Sequence, residues 1–480
     1  GDGIAEDADG NTSLRAAIME ANALEGFNTI RLPEGRFELT ISPMGVGNNE
    51  SDKGIHGQGY ACHGTDIALY GRDEELDLDV YDDVEIVGAG MGKTIIDMNQ
   101  TSRAFEVFTG TSAVISRMSI TGGAGQGWGR YSSAHPSKPN QLYRTGHFSG
   151  TIKSEGDLLI DQVELYGNSN YQSVVQNCKD SGPLRMVDSY IHHNDSTGLS
   201  IAGLQFELES STIAFNDGDG LHFENNHSNV HKYATVLNTT ISNNTRFGIH
   251  QWRVYTHLDV INSTIARNQN VGIYNIGPQP SRDWPFRSFV RLKNTIVAEN
   301  NLSEAHALSG NRHMEDLLAD DMWNTWFEIE DLGGNQIGYL VDHYKWGTQP
   351  PQIIASSGWP GDWTIPQRTY VRIGDLQSIN GSLPVHPLLY GSPAIDAGIN
   401  EGAPDEDQLG MPRVVDNDGD GTATVDAGAF EGVYYVAEPT IDSVEDLSIL
   451  EDASPVNVPL TGISGGYWYD SNEEQWIEEK

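Results

Sequence analysis

Short apolar runs and polar turn residues alternate in a repeating order between residues 158 and 301. Each repeat holds a β-branched run that ends in asparagine, as in STIAFN at 211–216 and STIARN at 263–268. These runs are too short to show the three-and-four apolar spacing of a helix. Repeats of 20 to 50 residues with turns between short strands are typical of a stacked β-solenoid. The pattern therefore predicts an all-β fold, a parallel β-helix of roughly ten coils.

One asparagine per repeat is expected to mark a fixed corner of the stack. Asparagine tolerates left-handed backbone and can hydrogen-bond its own turn, so we expect a ladder of turns along one edge. The members of this ladder are Asn168, Asn194, Asn216, Asn244, Asn268 and Asn300.

In four repeats a glycine follows the asparagine by four residues, and an apolar residue comes next. Strand side chains alternate between the two faces of a sheet, so this apolar residue should point inward and its successor outward. The outward residues are Ser200, His222, His250 and Tyr274. We expect them to form one column on adjacent coils about 5 Å apart.

An amphipathic segment and three interruptions set the expected domain organisation. Ser13 to Leu24 has the apolar stripe of a helix behind a Thr12/Ser13 cap, and such a helix would cover the open end of the stack. The prediction is an N-terminal cap at 1–27, a β-helix at 28–432 with long insertions at 42–79, 123–150 and 302–374, and the start of a further β module or a C-terminal tail at 433–480. Long loops on a rigid stack usually build the functional site.

Several motifs carry a resemblance to a known group. SLRAAI at 13–18 resembles the C-S-L-R-E-A-I motif of secreted bacterial right-handed β-helix proteins, with Thr12 and Ala16 replacing its Cys and Glu. VEIVGAG at 84–90 and SPAIDAG at 392–398 are similar to coils and closing motifs of the pectin-lyase-like superfamily. The resemblance implies a right-handed β-helix over about residues 1–432. It does not imply one activity, since the superfamily includes lyases, hydrolases, epimerases and adhesins.

Past residue 437 the chain resembles the opening strand of bacterial cadherin-like repeats.

The charge balance excludes one class of partner. With 28 Lys and Arg against 68 Asp and Glu, the net charge is −40, which argues against nucleic-acid binding and suits seawater or salt. No apolar run approaches the roughly 18 residues of a membrane span, and the chain opens without Met. We expect a monomer that is secreted or held at the cell surface. Cys62 and Cys178 could pair or stay free.

Two stretches of this acidic chain, 123–154 and 225–258, contain no Asp or Glu. A basic zone in an acidic protein favours a polyanion site, although its cations could equally pair with acids on neighbouring coils. The candidate substrate-binding residues are Trp128, Arg130, Tyr143, Arg144, His147, Lys232, Arg246 and Trp252.

The outward column carries the groups that β-elimination on a uronic-acid polymer requires. The reaction needs a cation to neutralise the carboxylate, a base to take the C5 proton and an acid to protonate the leaving oxygen. The candidate catalytic residues are His222 or His250 as the base, Tyr274 as the acid, Arg253 with Arg246 or Lys232 as the cations, and Glu224 beside them. Lys153 is a second candidate base or binder, since the related β-helix lyases can use lysine. We therefore predict a polysaccharide lyase acting on an anionic, uronic-acid-containing polysaccharide, with or without sulfate groups.

Two alternatives stay open. An inverting glycoside hydrolase needs two carboxylates roughly 6.5–9.5 Å apart, and Glu224 with Asp195, Asp217 or Asp219 could provide them. The N-T-D, D-D, G-H-G and R-I-K motif set of polygalacturonases is absent from the sequence. A cell-surface glycan-binding or adhesin β-helix without catalysis fits the cadherin-like tail.

An acidic turn near the C-terminus predicts calcium. Asp416, Asp418 and Asp420 alternate around glycines, as in the first half of an EF-hand loop. The twelfth position is Ala427 instead of Glu, and Asp426 is the candidate substitute. A structural calcium ion and an acidic turn without an ion both remain open.

Overall fold

The computed structural model describes 11–40, 78–100, 103–124, 150–169, 173–179, 181–224, 231–252, 254–276, 288–300, 327–338 and 370–434, plus the strands at 127–130, 142–145, 317–320, 340–343, 352–355, 467–470 and 475–478. We number its strands β1 to β35 in chain order and sort the coil strands into three faces.

The first face consists of β1 (Asn28–Arg31), β4 (Val84–Val87), the first halves of β7 (Ser112–Thr121) and β11 (Asp157–Tyr166), β13 (Leu184–Val187), β16 (Gln205–Glu209), β19 (Lys232–Leu237), β22 (Thr256–Ile261), β25 (Ser288–Lys293), β28 (Phe327–Asp331) and β31 (Gln352–Ala355). The second face consists of β2 (Gly35–Glu38), β5 (Thr94–Asp97), the second halves of β7 and β11, β14 (Tyr190–His192), β17 (Thr212–Ala214), β20 (Thr240–Ser242), β23 (Thr264–Ala266), β26 (Ile296–Ala298) and β29 (Gln336–Ile337).

The third face consists of β3 (Leu78–Val80), β6 (Phe105–Val107), β10 (Ile152–Ser154), β12 (Ser173–Asn177), β15 (Thr197–Ile201), β18 (Leu221–Phe223), β21 (Ile249–Trp252), β24 (Ile273–Ile276), β27 (Leu317–Asp320) and β30 (Leu340–His343). Three two-stranded pairs complete the described strands: β8 (Gly127–Arg130) with β9 (Leu142–Thr145), β32 (Leu388–Leu389) with β33 (Val433–Tyr434), and β34 (Tyr467–Asp470) with β35 (Gln475–Glu478).

Every strand of the three faces pairs in parallel with a strand of a neighbouring coil, which confirms the predicted parallel β-helix. The cause is visible in β22, where Thr256, Leu258 and Val260 are buried while the residues between them are only partly covered. The inward residues of successive coils stack into one continuous apolar core. A coil cannot bury its apolar side alone, so the stack is the stable unit.

The predicted asparagine ladder lines one buried edge. The Asn216 amide donates to Asn244 Oδ1 at 3.0 Å, and Asn194 donates to Asn216 at 2.8 Å. The same bond runs from Asn168 through to Asn300. One part of the expectation is wrong, because the left-handed residue is the one before each asparagine, such as Phe215 with φ 57°. The asparagine is required for its coil-to-coil hydrogen bonds.

The glycines after the ladder are required by close packing. A Cβ added to Gly248 would lie 2.5 Å from the carbonyl oxygen of Gly272 and 2.6 Å from the Ile265 side chain. Real Cβ atoms do not approach backbone oxygen so closely, so only glycine lets the coils turn here at the strand spacing of about 4.8 Å.

The predicted helix covers the N-terminal end of the stack. Helix α1 spans Leu14–Ala23, and the Ser13 hydroxyl caps it by accepting from the Ala16 N–H at 3.1 Å. Leu14, Ile18 and Ala21 are buried and belong to the main apolar core. Within the described residues no helix is long and apolar enough to cross a membrane.

The C-terminal segment 370–434 packs along the second face. Thr240 on β20 donates to the Gln408 side chain at 2.6 Å, and the Ser242 hydroxyl lies 2.6 Å from His386 Nε2. Arg413 is fully buried and donates to Asn238 at 2.7 Å. The second face is therefore covered from β17 to β26, whereas the outward residues of the first face remain partly exposed.

The expected insertion at 302–374 needs correction. Five strands within it, β27 to β31, continue the three faces, so this interval contains further coils. Its apolar runs are short and interrupted, which hid their period. Within 123–150, β8 and β9 pair antiparallel and belong to none of the three faces. Cys178 is disulfide-bonded, and Cys62 lies outside the described residues.

Candidate functional site

The predicted outward column exists on the third face. Ser200 pairs with His222, His222 with His250, and His250 with Tyr274 on successive coils. The column extends further than the sequence indicated, because Lys153 pairs with Gln176 in the same register. Gln176 was missed because seven residues separate Asn168 from the inward Val175, where other repeats have five.

Asp219 organises the two histidines. Its Oδ2 atom lies 3.1 Å from His222 Nδ1 and 2.8 Å from His250 Nδ1, and the two Nδ1 atoms are 2.9 Å apart. Asp219 is itself buried, with its N–H bonded to the Thr197 hydroxyl and its Oδ1 accepting from the Phe247 N–H. The carboxylate holds both rings in fixed orientations. The sequence analysis predicted Asp219 only as one possible partner of Glu224 in an inverting glycoside hydrolase.

The electrostatics of this group favour a charged carboxylate beside a neutral imidazole. Burial would raise the pKa of Asp219, but the hydrogen bonds from His222 and His250 outweigh burial and hold that pKa well below its usual range. Burial lowers the pKa of His250, against the opposing effect of Asp219. An ionised carboxylate only accepts hydrogen bonds, so each ring turns an Nδ1–H toward it. The lone pair of a neutral ring then lies on Nε2.

Aromatic and basic groups surround the histidines. The Phe247 ring stacks on Tyr274, with centroids 4.8 Å apart, and the His250 and Tyr274 centroids are 5.5 Å apart. Arg246 is 57% exposed, and its Nε lies 3.6 Å from Asp219 Oδ1. The exposed guanidinium lies next to the histidines and is accessible to a ligand. The His222 side chain is 26% exposed and that of His250 only 8%.

Glu224 and Lys232 lie beside this column. Glu224 accepts from the Ser200 hydroxyl at 2.5 Å and from Gln176 at 3.4 Å. Lys232 is buried, donates to the carbonyl oxygens of Ile201 and Glu224, and has a pKa lowered by burial to about 7. The predicted contact of Lys232 with the substrate is therefore wrong, because a buried lysine cannot bind a polymer at the surface.

Lys153 belongs to an ion-pair network. Its Nζ lies 2.7 Å from Glu106 and 2.8 Å from Glu155, and Arg103 pairs with Glu106 at 2.9 Å. Burial would lower the pKa of Lys153, but the attraction of Glu106 outweighs it and the pKa is raised. A lysine in this state carries its proton at neutral pH and suits binding better than proton abstraction.

Other predicted site residues cannot be placed by their side chains. Arg253 and His147 lie outside the described residues, so the cation role expected of Arg253 stays a prediction. Only the strand backbone is described for the remaining five, which are Trp128, Arg130, Tyr143, Arg144 and Trp252. Their roles stay predictions.

The acidic turn gathers a different set of carboxylates from the one expected. Asp416 and Asp418 converge with Asp396, with ligand atoms within 4.8 Å of one another. Asp420 instead accepts from the Thr422 N–H, and Asp426 is buried, accepting from the Asp396 N–H at 2.7 Å. The predicted ligand role of Asp426 is thus corrected. Burial, with the charges of Asp418 and Asp416 adding to it, raises the pKa of Asp396. Three converging carboxyl groups fit a hard divalent cation.

Among the described residues, one other group is close enough to share an ion, namely Asp219, His222 and His250.

Comparisons with known proteins bear on the fold. A family model described as a right handed beta helix region matches residues 173–314. The chain is similar to pectate lyase Pel9A, at a TM-score of 0.45 and 13% identity over 89% of this chain and 92% of that one. It is also similar to the A-module of the Azotobacter vinelandii mannuronan C-5 epimerase AlgE4, at a TM-score of 0.34 and 14% identity over 70% of this chain and 86% of that one. For the periplasmic alginate epimerase AlgG the TM-score is 0.33 and the identity 11%, over 58% and 72% of the two chains. No curated protein matches. The chain is a right-handed parallel β-helix, as predicted.

Proposed function

We propose that the protein is a polysaccharide-acting enzyme that cleaves a uronic-acid-containing glycan by β-elimination at the Asp219–His222–His250 group. The observation that supports the proposal is the buried Asp219 carboxylate, whose Oδ2 lies within hydrogen-bonding distance of Nδ1 of both rings and can accept an Nδ1–H from each. A ring held in this way presents the lone pair of Nε2, which is the atom that takes a proton in general-base catalysis.

In the proposed reaction His222 is the base, since it is the more exposed ring. Its Nε2 removes the C5 proton of the uronate, and the C5–H electrons form the C4–C5 double bond as the C4–O bond breaks. The leaving oxygen takes a proton from the Tyr274 phenol. Arg246 lies beside the histidines and offsets the charge that develops on the uronate carboxyl group. Exchange with water then restores both side chains.

His250 and Asp219 are positioning residues in this scheme. Asp219 fixes the ring orientation and stabilises the imidazolium that forms on proton transfer, as an orienting carboxylate does beside other catalytic histidines. Lys153 lies in the same column, but Glu106 and Glu155 balance its charge, so the scheme gives it no part in the proton transfers.

The test is incubation with polygalacturonate, alginate and chondroitin sulfate, each with and without a chelator. Ultraviolet absorbance from an unsaturated uronide indicates elimination, whereas new reducing ends without it indicate the hydrolase. Inverted C5 configuration without cleavage indicates that the carbanion is reprotonated. Binding without any product supports the glycan-binding alternative and overturns the enzymatic proposal.

Three variants locate the site. His222→Ala and Tyr274→Phe should lower kcat on the identified polymer by about 10²–10⁴ with substrate binding largely retained. The matched control is His192→Ala, since His192 also pairs with a carboxylate, Glu164 at 3.1 Å, but lies on the second face. Full activity in both site variants would move the active site elsewhere.

A further inference from the structure

Three rings form an aromatic ladder on the first face. Tyr233 pairs in register with His257, and His257 with Phe289, on three successive coils. The Tyr233 and His257 centroids are 5.2 Å apart at an interplanar angle of 24°, and those of His257 and Phe289 are 4.6 Å apart at 30°. Tyr233 is 59% exposed. Rings this close at these angles overlap in an offset stack, so the ladder is a continuous apolar strip that runs along the axis of the stack.

A parallel column of hydrogen-bonding groups borders the ladder. Thr235, Asp259, Arg291 and Glu330 follow one another in register. Arg291 donates to both carboxylate oxygens of Asp259 through Nε and Nη2, which uses two of the five N–H donors of a guanidinium. The two columns line a groove of about 340 Å³.

The charges of the groove select against a polyanion. Arg291 is balanced by Asp259, and Glu330 adds a further acid to the lining. Burial, with the nearby His231 and Arg291 contributing, lowers the pKa of His257, which keeps the ladder uncharged at neutral pH. On the third face, by contrast, the Arg246 guanidinium beside the column is 57% exposed.

We propose that the first face binds a neutral, extended β-1,4-linked hexopyranose chain, separately from the proposed catalytic column. Sugar rings are apolar on their faces and polar at their edges. They would stack on Tyr233 and Phe289, as ring faces do on aromatic side chains. Their hydroxyl groups would pair with Asp259, Arg291 and Glu330, since few well-placed polar groups fix orientation in such sites. Three coils span roughly 10 Å, the length of a short flat segment of chain.

Calorimetric titration of the full chain with cellohexaose tests the proposal, with maltohexaose and an oligogalacturonate as comparison ligands. We expect cellohexaose to bind, the curved maltohexaose to bind less well, and the anionic oligomer least. Tyr233→Ala and Phe289→Ala should each weaken cellohexaose binding roughly 3- to 10-fold, the size of an aromatic contact. Tyr233→Phe, which keeps the ring, should stay near the wild-type affinity.

Phe215→Ala is the matched control, since Phe215 is also an exposed ring, 40% accessible, but stacks on His193 away from the ladder. His222→Ala should bind cellohexaose like the wild type, which separates this site from the proposed catalytic one. Absence of cellohexaose binding, or equal binding in Tyr233→Ala and Phe289→Ala, would overturn the proposal. So would concentration-dependent dimerisation that the Tyr233→Ala change abolishes, because the ladder would then be a contact between two copies.

Discussion

The asparagine ladder and the histidine column use one geometric device for two purposes. In both, side chains on adjacent coils meet at the strand spacing and hydrogen-bond along the stack. Each asparagine amide both donates and accepts, so Asn194, Asn216 and Asn244 satisfy one another inside the protein. His222 and His250 instead present the same atom, Nδ1, to each other and share Asp219 as an acceptor. A self-complementary column supports the fold, whereas a column that needs an added charge at a partly open surface is suited to chemistry.

The largest expected effect is a loss of activity that distinguishes the histidine column from the asparagine ladder. Asp219→Asn keeps the shape but removes the charge that orients and supports the histidines. We expect kcat to fall by about 10²–10⁴ on the polymer that the substrate panel identifies. Measured rates and melting curves should show a large kinetic loss with a modest loss of stability. An unchanged kcat would mean that the column is no more than another structural ladder.

The converse change is Asn216→Leu in the ladder. Leucine matches the size but leaves the Asn194 amide, the Ile191 carbonyl and Asn244 Oδ1 without their bonds to this side chain. Buried polar groups that lose partners cost about 1–3 kcal/mol each, so we expect a loss near 3 kcal/mol in urea unfolding with kcat retained. Gln269→Ala, at an exposed position beside Asn268, should change stability by less than about 0.5 kcal/mol. A stable Asn216→Leu protein would contradict the structural role.

The buried contact between His386 and Ser242 tests how protonation of a structural histidine changes the stability of the fold. Burial lowers the pKa of His386 to about 4, and its Nε2 accepts from Ser242. The unfolded chain binds a proton near pH 6.5, so stability is full above that pH and is lost as the pH falls towards 4. The loss reaches about 3 kcal/mol.

The measurement is the difference in unfolding free energy between wild type and His386→Gln from pH 7 to pH 4. Glutamine keeps an acceptor for Ser242 but does not titrate, so the wild-type advantage should shrink with falling pH. A difference that is constant with pH would refute the assignment.

The smallest expected effect concerns calcium. If Asp396, Asp416 and Asp418 hold the ion, calcium at tenfold its dissociation constant should stabilise the chain by about 1.4 kcal/mol. A chelator should lower the melting temperature of the wild type but not of Asp396→Asn. Asp420→Asn should respond like the wild type, because Asp420 lies outside the converging set. A chelator effect that persists in Asp396→Asn would point to a different site.

The coil register was predictable because it follows from a local rule. Alternation fixes which residues point inward, so His222, His250 and Tyr274 could be aligned from their spacing to the asparagines. Gln176 was not aligned because the turn before it is two residues longer than in the other repeats. The role of Asp219 was not predicted because its carboxylate turns inward at a corner of the coil, where strand alternation does not determine the direction of a side chain. Burial of Lys232 shows the same limit, since its position at the start of β19 decides its direction.

The ionic residues were the least predictable part. Whether a cation faces a substrate or a neighbouring acid depends on pairs far apart in sequence, such as Arg267 with Glu299 and Arg291 with Asp259. The calcium turn shows this too, because Asp396 joins Asp416 and Asp418 from 20 residues away.

The contacts between the C-terminal segment 370–434 and the second face also constrain the order of folding. Neighbouring coils meet through residues 22 to 32 positions apart along the ladder, so each coil can add to the last one as the chain emerges. The contacts of Thr212 with Gln408 and of Asn238 with Arg413 close loops of 196 and 175 residues. Distant contacts form slowly because the entropy of loop closure must be met first. The second face should therefore be the last to be protected from hydrogen exchange during refolding, and until then the most exposed to aggregation.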